Sequence, residues 1–244
     1  PCAVLMGDVS YLSLMNARGH EAGDSLLRAL GDTAREMGSP SVDAELPGHP
    51  TVRSEVTFYR HGGDEVSAFI RADRARAEAI AEEYRLKVGR REFDVLARSG
   101  LRTNIDVAVA HVSEGVEAFR LLLDGGFVAP PGERARKIID LTVAIADMRQ
   151  SIRKGMDRVR ELMRLRQTVP PQEYVRLVAH MRKGAYGIDD ATIDGFLAHG
   201  DVPSLDDAIR SHILTRLDAE FLNAQRGRER EFNVVKTLAT PRGV

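Results

Sequence analysis

Two adjacent carboxylates, Asp64 and Glu65, follow a Gly62-Gly63 pair in the stretch Tyr59-Arg60-His61-Gly62-Gly63-Asp64-Glu65-Val66. A third acid, Asp8, falls at the end of an apolar run that extends from Cys2 to Val9. Carboxylates that converge repel one another unless a cation neutralises them, and Mg²⁺ is the usual one where phosphate is also bound. Such a site would polarise a phosphoryl group and lower the pKa of an attacking hydroxyl. From spacing alone, the same three residues read equally well as unrelated surface acids. Lys154 and Arg158 lie four apart in a long helical pattern, so they share a face. Aimed at an acidic metal site, such a pair holds a triphosphate. With Arg149, Arg153, Arg160 and Arg164 nearby, it reads by itself as a solvated basic face.

The elements that must position these residues follow from periodicity. Residues 55–59 and 66–70 are rich in β-branched and aromatic side chains and read as strands. Gly62-Gly63 between them signals a hairpin, since both residues tolerate the positive φ of a tight turn. Strand alternation then sends Asp64 and Glu65 to opposite faces. Residues 2–9 read as a buried strand and 103–112 as an alternating one. Helical spacing covers 10–15, 21–37, 73–91, 114–124 and 133–166, while 38–51 read as a loop. Beyond Thr168-Val169-Pro170-Pro171 lie helical stretches at 171–183, 189–198 and 204–226, then a tail. The order β-α-α-β-β-α-β-α-α predicts an α+β fold: a mostly antiparallel sheet containing a central hairpin, with helices packed around it. The expected division is 1–168 for this domain and 169–244 for a helical C-terminal extension.

Composition narrows the partners. With 35 basic and 36 acidic residues, no global charge draws the chain to nucleic acid or an acidic membrane. Trp is absent and aromatics make up 5% of residues, which argues against base-stacking surfaces. No apolar run approaches a membrane span, no signal-peptide pattern opens the sequence, and the single cysteine, Cys2, rules out an intrachain disulfide. A cytoplasmic setting is the expectation.

The hairpin Arg60-His61-Gly62-Gly63-Asp64-Glu65-Val66 resembles the signature of the GGDEF domain, the catalytic domain of diguanylate cyclases, with valine in place of the phenylalanine. Two further blocks occur in the right order. Asp8-Val9-Ser10 with Asn16 and Gly19-His20-Glu21-Ala22-Gly23-Asp24 is similar to the family's upstream block of Asp-x-Asp, Asn-Asp and Gly-His-x-x-Gly-Asp. Ala146-Asp147 with Lys154 and Arg158 is similar to its C-terminal helix, so the likeness spans residues 2–160. The resemblance implies a palm-like fold, Mg²⁺ (or Mn²⁺), and two GTP molecules held by facing domains of a homodimer. It implies metal ligation by Asp8, the Val9 carbonyl and Asp64. Glu65 would serve the second metal or help deprotonate the 3′-hydroxyl. Asn16 and Asp24 would read guanine, Gly62 and Gly63 would admit the phosphates, and Lys154 and Arg158 would clamp them.

The chain also departs from that pattern. Ser10 replaces the second acid of Asp-x-Asp, Ser13 replaces a lysine that touches phosphate, and Ala17 replaces the Asp of Asn-Asp. The link from Asn16 to Gly19-His20 is one residue shorter than usual. The family's product-binding Arg-x-x-Asp site falls at Arg53-Ser54-Glu55-Val56, without its aspartate, and residues 125–132 read as an insertion. A divergent diguanylate cyclase is therefore expected first. The alternatives are a GTP- or dinucleotide-binding regulator without catalysis, and a palm-type synthetase with another product. Apolar positions in the C-terminal helices, such as Tyr174, Leu177, Val178, Ile209, Ile213, Leu217 and Phe221, are candidates to hold a dimer or a protein partner, or else to pack back on their own domain.

Overall fold

The computed structural model describes residues 2–38, 55–60, 63–181, 188–198, 203–224 and 228–240. Its sheet has four antiparallel strands: β1 (Ala3–Val9), β2 (Val56–Arg60), β3 (Glu65–Ile70) and β4 (Ile105–His111). They lie in the order β2-β3-β1-β4, so the α+β reading holds, with the hairpin forming one flank. β1 is paired along both sides. It meets β3 from Ala3↔Ile70 to Asp8↔Glu65, and β4 from Ala3↔His111 to Val9↔Ile105. Almost every residue of β1 is buried, as expected of a strand covered on both faces.

The helices are α1 (Leu12–Asn16), α2 (His20–Gly38), α3 (Arg74–Gly89), α4 (Asp94–Ala97), α5 (Val112–Asp124) and α6 (Arg134–Thr168). α7 (Pro171–Met181), α8 (Asp190–Ala198), α9 (Pro203–Ala224) and α10 (Glu229–Ala239) follow. Among the described residues no helix is long and apolar enough to cross a membrane. α3 starts where the Asp73 side chain accepts from the Arg76 N–H, which satisfies one of the free donors of its first turn.

The described chain divides into two compact units, residues 1–150 with 234–244, and residues 151–233. In the first unit α2 packs on β2, and α3 on β4 and β1. Tyr84 of α3 is fully buried there, with its ring centroid 4.8 Å from that of Phe58. Burial pushes its hydroxyl well above the ordinary tyrosine range. The other face of the sheet carries Val4 and Ala110, in one core with Ala118, Phe119 and Leu122 of α5, Leu141 and Ile145 of α6, and Val235 and Ala239 of α10. α5 and α6 approach closely at Gly115, where an added Cβ would overlap Thr142 and the Ile138 carbonyl.

α10 corrects the expectation of a tail after residue 226. Phe232, Val235 and Ala239 recur at helical spacing and are buried, so the segment has an apolar face that pays for ordering it. In the second unit Arg166 pairs with Asp194 at 3.1 Å and lies over the Tyr174 ring, and Arg160 reaches Asp206 at 2.8 Å. Tyr174, Leu177, Val178, Ile209 and Ile213 are buried within the chain, the second of the two alternatives open for these positions. Leu217 is half-buried, and the side chain of Phe221 lies outside the described residues.

One ion-pair hub ties α10 to the rest of the first unit. Glu114 receives Arg149 at 2.6 Å, and also Arg74. It accepts the His111 N–H at 2.9 Å as part of a capping box that starts α5. Arg149 also donates to the carbonyls of Val109 and Leu238, at 2.9 and 2.8 Å. Burial alone would raise the Glu114 carboxyl, but hydrogen bonds from Arg149 and Arg74 outweigh it and hold the group below its ordinary value. A depressed carboxyl contributes stability above its unfolded pKa and loses it as pH falls through the folded one. Removing one partner from such a half-buried pair leaves the other's hydrogen-bonding groups unsatisfied and costs about 1–3 kcal/mol. Arg149→Ala is therefore expected to lower the unfolding free energy by that amount at pH 7. Glu114→Gln should flatten the loss of stability below the ordinary pKa of 4.5 seen in the unmodified protein. Denaturant titrations from pH 7 to pH 3 check both; parallel pH profiles for Glu114→Gln and the unmodified chain would count against the hub.

Candidate functional site

β1 ends between the hairpin and β4, and both neighbours hold it there. The Val9 N–H donates to the Asp64 carbonyl at 3.0 Å, and the Ser10 N–H to the Asn104 carbonyl at 2.9 Å. The register sets three acids in a row across the sheet: Glu65 on β3, Asp8 on β1 and Asp106 on β4. Residues directly opposite on paired strands share a face, and like charges so placed are destabilising unless something offsets them. Glu65 is exposed, Asp64 half-buried, and Asp8 and Asp106 are buried. Among the described residues, no group of three or more His, Cys, Asp and Glu side chains is gathered closely enough to hold a metal ion. In kind, the donors expected from the sequence are carboxylates and a backbone carbonyl. An all-oxygen set of this sort suits Mg²⁺ or Mn²⁺.

From Ser10 the chain turns sharply into α1. Tyr11, the N-cap residue of that helix, has φ 71° and ψ 13°, the only positive φ at a non-glycine position among the described residues. Such a conformation costs a bulky residue about 1–3 kcal/mol and persists only where the surroundings fix it. α1 then delivers Leu12 against Gly63 of the hairpin and Asn16 against Gly23 of α2. An added Cβ on Gly23 would overlap the Asn16 side chain, so glycine is what allows this approach. The short link that follows is closed by backbone bonds, Ala17 N–H to the Ser13 carbonyl and Gly19 N–H to the Asn16 carbonyl, with Gly19 at φ 132°. Despite that shorter link, Asn16 remains beside the turn of α2 that carries Asp24.

A groove of about 1070 Å³ runs between α2 and the hairpin among the described residues. Asp24, Gly63, Asp64 and Glu65 line it, together with Arg28, Phe58, Arg60 and Tyr84. Arg60 also donates to the Gly63 carbonyl at 3.1 Å, bracing the hairpin from within. Gly63 does not have positive φ, and a Cβ there would meet Leu12 at an ordinary contact distance of 3.7 Å. Gly62 and His61 lie outside the described residues. Asp8 and Val9 stand at the neighbouring strand end rather than in the groove lining. Lys154 and Arg158 belong to the second unit, on the later part of α6, where Lys154 is half-buried and Arg158 buried.

Asp106 is the residue of this region that sequence reasoning passed over. Its signal was an acid inside the otherwise apolar alternation Ile105-Asp106-Val107-Ala108-Val109-Ala110.

No family model matches the chain, and no curated protein matches it. Among solved structures it is similar to the active GGEEF domain of a diguanylate cyclase from Vibrio cholerae. The identity is 18%, over 44% of this chain and 60% of that one, with a TM-score of 0.33. It is also similar to the GGDEF domain of DgcB from Caulobacter crescentus in complex with c-di-GMP, at 15% identity over 59% of this chain and 69% of that one, with a TM-score of 0.38. The chain thus spans 60% of the length of the first of these domains.

The contact of Asn16 with Gly23 can be tested on its own. Gly23→Ala overfills it and should destabilise the protein by about 1–3 kcal/mol. Asn16→Ala in the same chain removes the atoms that the new methyl meets and should recover most of that loss. A double-mutant cycle by chemical denaturation reads the coupling; additive single effects would mean that the two residues do not touch.

Proposed function

We propose that this chain is a Mg²⁺-dependent nucleotidyltransferase that condenses two GTP into cyclic di-GMP. The observation that carries the reading is that Asp24 and the Gly63-Asp64-Glu65 hairpin, from separate sequence blocks, line one groove with Asn16 held at its α2 side. Asp24 accepts from the N1–H and N2–H groups of guanine, while adenine N1 offers no matching donor. Asn16 holds the same edge. Gly63, with Gly62, admits the phosphates without a Cβ in the way. Asp8, the Val9 carbonyl and Asp64 are the donors that would hold Mg²⁺. Bound there, the cation would neutralise phosphate charge and favour an ionised 3′-hydroxyl. Glu65, exposed at the hairpin, takes the proton of the attacking hydroxyl. Pyrophosphate leaves in line with the attacking oxygen. The single cysteine and a GTP substrate fit a cytoplasmic setting.

One groove holds one activated nucleotide. A symmetric cyclic product needs a second nucleotide facing the first in the opposite sense, which a two-fold pair of chains supplies. With Tyr174, Leu177, Val178, Ile209 and Ile213 buried, the pairing is expected to be transient and made by the nucleotide-bearing faces themselves. A second reading, a regulator that binds GTP or a dinucleotide without turnover, is favoured by Ser10, Ser13 and Ala17 in place of two acids and a lysine.

Incubation with each labelled nucleoside triphosphate and Mg²⁺, followed by product separation, tests the proposal. Cyclic di-GMP from GTP alone is expected. Binding without product would favour the regulator, and a product from ATP would favour a synthetase of different specificity. Asp64→Asn should abolish turnover with the fold intact by circular dichroism; full activity in that variant removes the hairpin from the mechanism. Specific activity should rise with protein concentration, and a constant rate from a strictly monomeric protein would contradict the facing pair.

A further inference from the structure

Asp106 is 1% exposed, near the start of β4 and directly across from Asp8. Its Oδ2 accepts from the Ser10 hydroxyl at 3.1 Å, and its Oδ1 accepts from the Asn104 side-chain amide at 2.9 Å. The Asn104 carbonyl takes the Ser10 N–H at 2.9 Å, so Ser10 is gripped through both backbone and side chain. Burying a carboxylate costs far more than burying a serine or an apolar residue. An acid in this place is therefore an expensive way to build a strand, and its geometry shows where the cost is recovered. Ser10 immediately precedes Tyr11, whose left-handed backbone sets the direction of α1. α1 in turn carries Leu12 to Gly63 and Asn16 to Gly23, the two contacts that flank the groove.

We infer that Asp106 is a positioning residue for this site: by holding Ser10 it fixes the left-handed turn at Tyr11, and through α1 the placement of Asn16 beside Asp24. The inference rests on the nucleotide-binding reading given above. It also accounts for the serine at position 10. In this chain the acid comes from β4 and the hydroxyl from the turn, and the pair forms a strand-to-turn latch that a second acid at position 10 would not form, since two carboxylates cannot share that hydrogen bond.

Two substitutions in the full chain separate positioning from packing. Asp106→Ala removes the latch. Asp106→Asn is the rescue, because its carbonyl oxygen still accepts from Asn104 while its amide donates to the Ser10 oxygen. Hydrogen exchange at the Tyr11–Ser13 amides and calorimetric titration with GTP and Mg²⁺ are the readouts. Asp106→Ala should speed exchange at those amides by about tenfold or more, leave the Val4–Met6 amides of β1 unchanged, and weaken GTP binding by about tenfold. Asp106→Asn should restore both. The inference is overturned if Asp106→Ala leaves turn exchange and affinity unchanged, if exchange rises equally along β1, or if Asp106→Asn fails as badly as Asp106→Ala. Unmodified protein that binds no GTP overturns the nucleotide reading, and this inference with it. Unmodified protein that binds, with Asp106→Ala unchanged, overturns this inference alone.

Discussion

The pairing of β1 along both edges is the constraint on which the rest of the first unit depends. Because Ala3 to Val9 is laddered to β3 on one side and β4 on the other, a slip of one residue would turn Val4 and Ala110 out of their core and reverse every other side chain. That register is fixed by burial, and it leaves no choice about where Asp8 stands. The acids of the hairpin and of β4 must flank it, whatever electrostatic cost that brings. The two bonds beyond the ladder, to the Asp64 and Asn104 carbonyls, extend the same constraint into the turn. Chemistry at this edge of the sheet is thus positioned by hydrophobic packing some distance away.

Much of this was readable in the amino-acid order because it is local. The hairpin announces itself through two short β-rich runs around Gly62-Gly63, and α2 through the spacing of Leu26, Leu30 and their neighbours. The approach of Asn16 to α2 was legible only as a spacing, since the overlap that makes Gly23 necessary depends on how α1 leaves the sheet. Asp106 was not legible. An acid within an alternating strand ordinarily marks the solvent face, and only the pairing with β1 reveals that this one is buried opposite Asp8. α10 was missed for a related reason. It is 11 residues long, and its apolar face gains meaning from a core built by residues far earlier in the chain.

The turn at Tyr11 and the hub at Glu114 show two ways of meeting an unfavourable group. At Tyr11 a strained backbone follows Val9 and Ser10, whose N–H groups donate to the Asp64 and Asn104 carbonyls. At Glu114 a half-buried carboxylate is held by two guanidiniums and a backbone N–H. The first arrangement stands next to the groove, where a fixed geometry is useful. The second stands at the opposite end of β4, where Arg149 joins two backbone carbonyls from segments far apart in sequence. One organises a site and the other closes a core.

The closing role of α10 bears on how the chain comes to be folded. Val4, Ala110, Phe119 and Leu141 all emerge from the ribosome long before Val235 and Ala239, which complete their core. Until the later residues are made, the nascent first unit has the core beneath α5 and α6 left partly open, while residues 151–233 are threaded out between the two parts of one folding unit. Exposed apolar surface on a half-made domain is where nascent chains associate wrongly. Slow translation through the α7–α9 region would prolong that exposure, so the yield of native protein should depend on the pace at which a distant stretch of the message is read.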